Sequence, residues 1–186
     1  KNIELEDVTD DLCVFGLFGP KSRDLIKTLS KDNFENDQFR FGFAKFITID
    51  GVKIWTQRLS YVGELGYELY VDLKDAKKIY ELLIEKGKDF NLSNCGMHAM
   101  DIMRMESGFL HWGHDISPEE NQYQAGLAFT ISNKKDVDFI GKQALEKIKQ
   151  NKVKTRFSMF TLKESEPGKP LLLHDEPIYD GDKIIG

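Results

Sequence analysis

Two periods of hydrophobic alternation run through this chain, and each predicts its own kind of element. Ile3-Glu4-Leu5-Glu6-Asp7-Val8 alternates, and Cys13-Val14-Phe15-Gly16-Leu17-Phe18 is a continuous apolar run. Residues 3–20 therefore predict a strand pair whose second member is buried. Gly19-Pro20 ends the run, and proline suits the first turn of a helix from about Lys21 to Leu29. Leu25, Ile26 and Leu29 fall on one face of that helix. Lys31 to Gln38 reads as a polar connector. A meander follows: Phe43 to Ile49 alternates, Asp50-Gly51 is a strong hairpin signal, and Val52 to Arg58 returns. Tyr67, Leu69 and Val71 then share one strand face, with Glu68, Tyr70 and Asp72 on the other. Lys74 to Lys86 has the 3.6-residue period, with Ala76, Ile79, Tyr80, Leu82 and Leu83 on one stripe and Gly87 as its stop.

Past residue 95 the pattern changes. Met97, Ala99, Met100, Ile102, Met103 and Met105 surround the segment Cys95–Glu106 almost completely, which predicts a buried helix. His98, Asp101 and Arg104 recur every three residues along one of its sides. Polar groups on a buried helix need partners, so they form either an internal network clamping the helix to the meander or a ligand-binding edge. Phe109 to Ala128 is loop-like and rich in His, Trp, Tyr and Asn. Leu127 to Ser132 predicts a strand, and Phe139-Ile140-Gly141 leads into a helix from Lys142 to Lys149 with Ala144, Leu145 and Ile148 inward. After Lys154 the texture becomes that of short strands: Arg156 to Leu162 alternates, and Gly168, Pro170, Pro177 and Asp180-Gly181-Asp182 punctuate the rest. The expected organisation is an α+β domain over 1–150, with antiparallel sheets and packed helices. The beginning of a truncated all-β, barrel-type module follows over 151–186, with the boundary near Gln150 to Lys154.

Between the meander and its third strand lies Arg58-Leu59-Ser60-Tyr61-Val62-Gly63-Glu64-Leu65-Gly66-Tyr67-Glu68. Gly63 and Gly66 permit a sharp bend. Glu68 then stands at the start of a strand, just after a tight loop, where a fixed carboxylate suits a ligand presenting paired N–H donors. On spacing alone the stretch reads more readily as an acidic hairpin.

Composition narrows the chemistry. With 186 residues, 40% of them apolar and 13 of them phenylalanine, the chain can bury a sizeable core. A net charge of −5 and scattered basic residues leave no electrostatic footprint for nucleic acid. Neither Cys13 nor Cys95 has metal-type spacing, and two thiols fit a reducing compartment. His111-Trp112-Gly113-His114 offers two histidines on a loop without a defined third ligand, so no metal site is expected. No apolar run reaches the length of a membrane span, so no membrane partner is expected. Glycine-rich phosphate loops and Gly-x-Ser-x-Gly elbows are both missing from the sequence. Lacking an initiator Met and ending after an apparent turn, the chain reads as a piece of something longer.

Tyr61-Val62-Gly63-Glu64-Leu65-Gly66-Tyr67-Glu68 resembles the Tyr-Thr-Gly-Glu-x-Gly-x-Glu motif of the glycine-cleavage aminomethyltransferase (T-protein) family. Three other stretches agree in order. Gly16 to Ser22 resembles the family's "LQGPKA" helix entry, and Asp101 to Gly108 resembles its "DSLRLEAG" helix. Gln124 to Leu127 with Phe139 to Leu145 resembles "EAGL…FIGKEAL". Met100 stands where the aminomethyltransferases carry arginine, and His111-Trp112-Gly113-His114-Asp115-Ile116 departs from their "LYGNDI" loop. Both departures are similar to the C-terminal folate-binding regions of sarcosine and dimethylglycine dehydrogenases.

The resemblance implies the aminomethyltransferase folate-binding fold, with tetrahydrofolate as cofactor and a small amine-derived one-carbon donor as partner. The implied product is 5,10-methylene-tetrahydrofolate. Glu68 would accept hydrogen bonds from the 2-amino and N3 region of the pterin, and Tyr61 would line the pocket. Asp101 and Arg104 would form a network beneath. The family's catalytic acid maps onto no residue here, so the catalytic group is expected outside the chain. FAD would belong to a missing N-terminal domain. The isolated chain is expected to be inactive, in a protein of the cytoplasm or, in a eukaryote, the mitochondrial matrix. Alternatives are a free-standing glycine-cleavage aminomethyltransferase and a non-catalytic folate-binding or interaction module. Oligomeric state and amine substrate are not legible.

Overall fold

Strand β4 (Gly66–Asp72) is the centre around which the ordered core is built. Its period-two pattern puts Tyr67, Leu69 and Val71 on one face, all three with no exposed surface. Antiparallel to it on one side lies β1 (Leu12–Phe18), and on the other β3 (Val52–Gln57), which pairs in turn with β2 (Ala44–Ile49). The order β1-β4-β3-β2 makes a four-stranded antiparallel sheet. Asp50 and Gly51 join β2 to β3 with φ of 46° and 80°, the positive pair that a two-residue hairpin matched to strand twist requires. The computed structural model describes residues 3–132, 137–151, 153–164, 166–169 and 172–186.

Two helices cover the inner face of the sheet: α1 (Ser22–Leu29) and α2 (Leu73–Gly87) pack on each other and on β4. Leu25 and Ile26 from α1 and Ile79 and Leu83 from α2 meet Leu17, Ile47, Ile49, Ile54, Leu69 and Val71 from the strands. The result is an α+β layer of helices on an antiparallel sheet. The segment read as a polar connector contributes the aromatic end of this core. Phe34 and Phe39 are buried, and their rings lie 5.7 Å from that of Tyr67. One aromatic every five residues carries no periodic signature, which is why the polar neighbours dominated the reading.

The structure overturns several element-level expectations. Residues 3–8 form no strand, and Ile3 and Leu5 are 85% and 97% exposed. Asp7 instead accepts hydrogen bonds from the Thr9 backbone and hydroxyl, at 3.0 and 2.6 Å. That turn bends the chain, and β1 pairs with the far more apolar β4. As an edge strand β1 is only partly covered: Leu17 is buried, while Val14 is half exposed. Helix α3 (Met97–Glu106) forms, but Arg104 is its one buried residue and Met97 is 67% exposed. A helix apolar on nearly every side needs cover on every side, and here one side is packed.

The chain divides into two compact units, 1–117 and 118–186. In the second, Leu127–Ser132 is not a strand but holds a short 3₁₀ turn, Ala128–Thr130, where the Thr130 hydroxyl and backbone N–H both donate to the Leu127 carbonyl. Helix α4 (Lys142–Gln150) follows Gly141 as expected, with Leu145 and Ile148 half-buried and Ala144 exposed rather than inward. Residues 156–162 form no strand. An alternating stretch gains a ladder only beside a partner, and among the described residues its backbone bond is Phe157 N–H donating to the Gln124 carbonyl. Asp180-Gly181-Asp182 does turn a hairpin, between β5 (Tyr179–Asp180) and β6 (Lys183–Ile184). Lys152, in the expected linker, and Pro170, among the expected punctuation, lie outside the described residues.

Candidate functional site

The turn before β4 is fastened at both ends. Gly63 has φ of 76°, and a Cβ built on it would lie 2.0 Å from the Ser107 hydroxyl oxygen. Ser107 itself donates to the Val62 carbonyl at 3.2 Å, so the bend is held against the end of α3. Gly66 serves a different need: its φ is ordinary, but a Cβ there would collide with the Phe18 ring at 2.4 Å. One glycine supplies the bend and the other admits an aromatic.

From this turn the chain enters β4 with Glu68 on the outer face of the sheet. Directly across the ladders, Glu68 faces Gly16 of β1 and Gln57 of β3. The next row on the same face is Val14, Tyr70, Trp55 and Phe46. The Trp55 and Phe46 rings meet edge-on at 4.9 Å, and both remain partly exposed. A carboxylate thus stands beside an open aromatic surface. Tyr70 donates its hydroxyl to Oε2 of Glu68 at 2.9 Å. That hydrogen bond, then burial, then the negative charge of Glu68, push the Tyr70 hydroxyl above its usual pKa. Tyr70 therefore stays a donor at neutral pH.

Tyr61 is placed otherwise than as a simple pocket wall. Its hydroxyl donates to the Leu110 carbonyl at 3.0 Å, and its ring stacks on Phe109 with centroids 6.3 Å apart. Its one proton is committed, leaving an acceptor lone pair and a ring face.

Beneath the loop that Tyr61 holds lies a charged network. Arg104 donates to both Asp115 and the Phe109 carbonyl and pairs with Asp101 at 3.4 Å. Burial pulls the Arg104 pKa down, but the hydrogen bond and charge of Asp115, then Asp101, outweigh it and hold the guanidinium above its ordinary value. His111 lies 3.5 Å from Asp101, its Nδ1 buried without a hydrogen bond, and its ring stacks on His114 at 4.0 Å. His98 is exposed and takes no part. The network clamps α3 to the loop that follows it, rather than to the meander directly. Asp115 was missed by the helical spacing because it comes from that loop. Tyr70 was legible in the alternation, two residues from Glu68 on the same face.

A separate cavity of about 380 Å³ runs along β1, lined by Gly16, Phe18, Tyr80, Cys95, Met100 and Met103 among others. The turn contributes Val62 and Glu64 to its lining, but not Tyr61 or Glu68. Among the described residues, no three His, Cys, Asp or Glu side chains are arranged to hold a metal ion, and no helix is long and apolar enough to cross a membrane.

Residues 1–135 match the family described as the GCVT N-terminal domain. The chain belongs to that family. It is 38% identical over 180 residues to a 4-methylaminobutanoate oxidase (formaldehyde-forming) of Paenarthrobacter nicotinovorans, covering 97% of this chain and 22% of that protein. Human mitochondrial dimethylglycine dehydrogenase is 32% identical over 185 residues, all of this chain and 21% of the enzyme. An aminomethyltransferase of Symbiobacterium thermophilum is 37% identical over 150 residues, 80% of this chain and 40% of that protein. The GCVT-type chain thus spans about a fifth of the amine-oxidising relatives and under half of the free-standing transferase. These relatives include members of both enzyme classes that the motifs resemble.

Proposed function

We propose that this chain forms the tetrahydrofolate-binding, one-carbon-transfer portion of an enzyme like the sarcosine and dimethylglycine dehydrogenases. It would capture an amine-derived one-carbon unit as 5,10-methylene-tetrahydrofolate. The observation that carries the reading is Glu68, standing on the outer sheet face beside Tyr70, directly after the family's glycine turn and one row from Trp55. Its Oε2 is oriented by Tyr70, and the carboxylate keeps further lone pairs for a ligand edge with two adjacent N–H donors. The bidentate, charge-assisted pairing that follows is strong once water is excluded. The residues present therefore fit a pterin at this edge. Tyr61 contributes a ring face and an acceptor, since its proton is held by Leu110.

When bound, folate supplies the nucleophilic nitrogen for the carbon transfer. The chain's own part is to bind and orient: Glu68 fixes the ring plane, and the Arg104–Asp101–Asp115 network holds the loop bearing Tyr61's acceptor. Orientation of this kind can supply much of the rate. The acid near the reacting nitrogen is assigned outside this chain, as is FAD, which belongs in this reading to an N-terminal flavin domain. Residues 151–186 are read as the start of a C-terminal β-barrel module, and 1–150 as part of the folate-binding domain. The protein would act in the cytoplasm, or in the mitochondrial matrix of a eukaryote. The similarity to an aminomethyltransferase favours a second reading, the free-standing glycine-cleavage enzyme. A flavin domain upstream decides between them.

Glu68→Gln in the full-length protein is the test. It keeps the shape and removes the charge, so tetrahydrofolate affinity should fall by roughly 10- to 100-fold, the worth of a hydrogen bond to a charged group. Unchanged affinity refutes the site.

A further inference from the structure

We infer that Tyr70 is the positioning residue of this site: by donating to Oε2, it fixes the Glu68 carboxylate in the orientation that reads the ligand edge. The inference rests on the folate reading above and deepens it.

Glu68 and Tyr70 are two residues apart on one strand face, so their side chains rise from the sheet side by side. Glu68 has a glycine across one ladder and Gln57 across the other. Gly16 has no side chain of its own, and the Phe18 ring of β1 lies over it, 2.6 Å from where its Cβ would stand. A glutamate on a half-covered sheet face otherwise samples several rotamers, and stilling it costs conformational entropy. The hydroxyl of Tyr70 removes part of that freedom before any ligand arrives, because the hydrogen bond at 2.9 Å already ties the carboxylate down. Tyr70 is itself held in place. It stands in the row between Val14 and Trp55, which packs on Phe46. The chain of support runs from an aromatic row, through one phenol, to one carboxylate.

The geometry also divides the labour between the two oxygens. Oε2 accepts from Tyr70 and retains a further lone pair, while Oε1 carries no hydrogen bond among the described residues. A ligand edge with two neighbouring N–H donors can then be met by both oxygens without breaking the Tyr70 bond. Gln57 stands opposite Glu68 on the same face. A pre-set carboxylate discriminates by geometry, so a ligand lacking one of the two donors gains less from it.

Tyr70→Phe keeps the ring in the row beside Trp55 and deletes only the hydroxyl. Two measurements separate the outcomes. In the 186-residue chain without ligand, side-chain NMR couplings of Glu68 should report one dominant rotamer in the wild type and averaged rotamers in Tyr70→Phe. Equal averaging in both overturns the inference, whatever the chain's folate affinity. In the full-length protein, Tyr70→Phe should weaken tetrahydrofolate binding by roughly tenfold. It should leave binding of p-aminobenzoyl-glutamate, which lacks the pterin, unchanged. A uniform loss for both ligands marks a merely structural residue and overturns the inference. If Glu68→Gln is harmful and Tyr70→Phe is silent, this inference fails while the folate reading stands. If Glu68→Gln is silent, the folate reading fails first.

Discussion

The proton that Tyr70 lends to Glu68 ties the pH behaviour of one residue to the charge of another. In the folded chain the Tyr70 hydroxyl titrates above its ordinary value of 10.0, chiefly through its hydrogen bond to Glu68. A pKa raised by folding means the folded state holds that proton more tightly. The contribution to stability is complete below the ordinary tyrosine value and is lost as pH climbs through the raised one. Ultraviolet titration should therefore show one tyrosine ionising late in the wild type and moving back towards the ordinary range in Glu68→Gln. A wild-type curve without a late tyrosine counts against the hydrogen bond as the structure gives it. Tyr61 shows the opposite allocation. Its proton goes to a backbone carbonyl, so it braces the loop and meets a ligand only as an acceptor or a ring.

Among elements, the turn 60–66 depends on a positive φ and a close approach to Ser107 at Gly63, both of which favour glycine. Gly63→Ala must place an L residue at φ of 76° and a Cβ 2.0 Å from the Ser107 oxygen. A loss of about 2 kcal/mol or more in unfolding free energy is expected, against the roughly 0.5 kcal/mol of a neutral surface change. Denaturant unfolding checks it, and an unchanged midpoint would mean that the turn is looser than drawn. The elements legible in the sequence share a feature: their information is local. The Asp50-Gly51 hairpin, the alternation of β4 and the stripe of α2 each follow from neighbours within a few residues. What stayed hidden depends on distant partners. Phe34 enters the core from a polar connector because Tyr67 and Phe39 surround it. Residues 3–8 alternate like a strand but turn at Thr9 instead. Helix α3 was read as buried from its composition, whereas burial requires a covering surface on each side. The position of Glu68 on the outer face was legible, and so was Tyr70 beside it. Asp115, which closes the Arg104 network from a loop eleven residues away, was not.

Across the whole chain, buried apolar residues are distributed very unevenly. Nearly all the core lies in residues 17–83, and Ala125 is the one buried hydrophobic described in the second compact unit. Local opening free energy follows buried contacts. Native-state hydrogen exchange should therefore show slow amides in β1, β3, β4 and α2 and rapid exchange through 118–186. Comparable protection in both units would contradict the burial pattern. The better-buried unit also bears the candidate site, so Glu68, Tyr70 and Tyr61 stand in the part of the chain that holds the core. Rigid mounting is what an orienting role needs, since a loose carboxylate gives back in entropy what it gains in contact. This unit carries most of the match to the GCVT N-terminal domain, which runs over residues 1–135.

Whether Glu68 reads a pterin edge decides between a folate site and a plain acidic hairpin. Calorimetric titration of wild-type and Glu68→Gln full-length protein, with tetrahydrofolate and with p-aminobenzoyl-glutamate, measures that directly. The predicted result is a loss of at least roughly tenfold for tetrahydrofolate alone, the share of affinity that a charge-assisted pair contributes. Equal affinity of the two proteins for tetrahydrofolate, or an equal loss for both ligands, would contradict it.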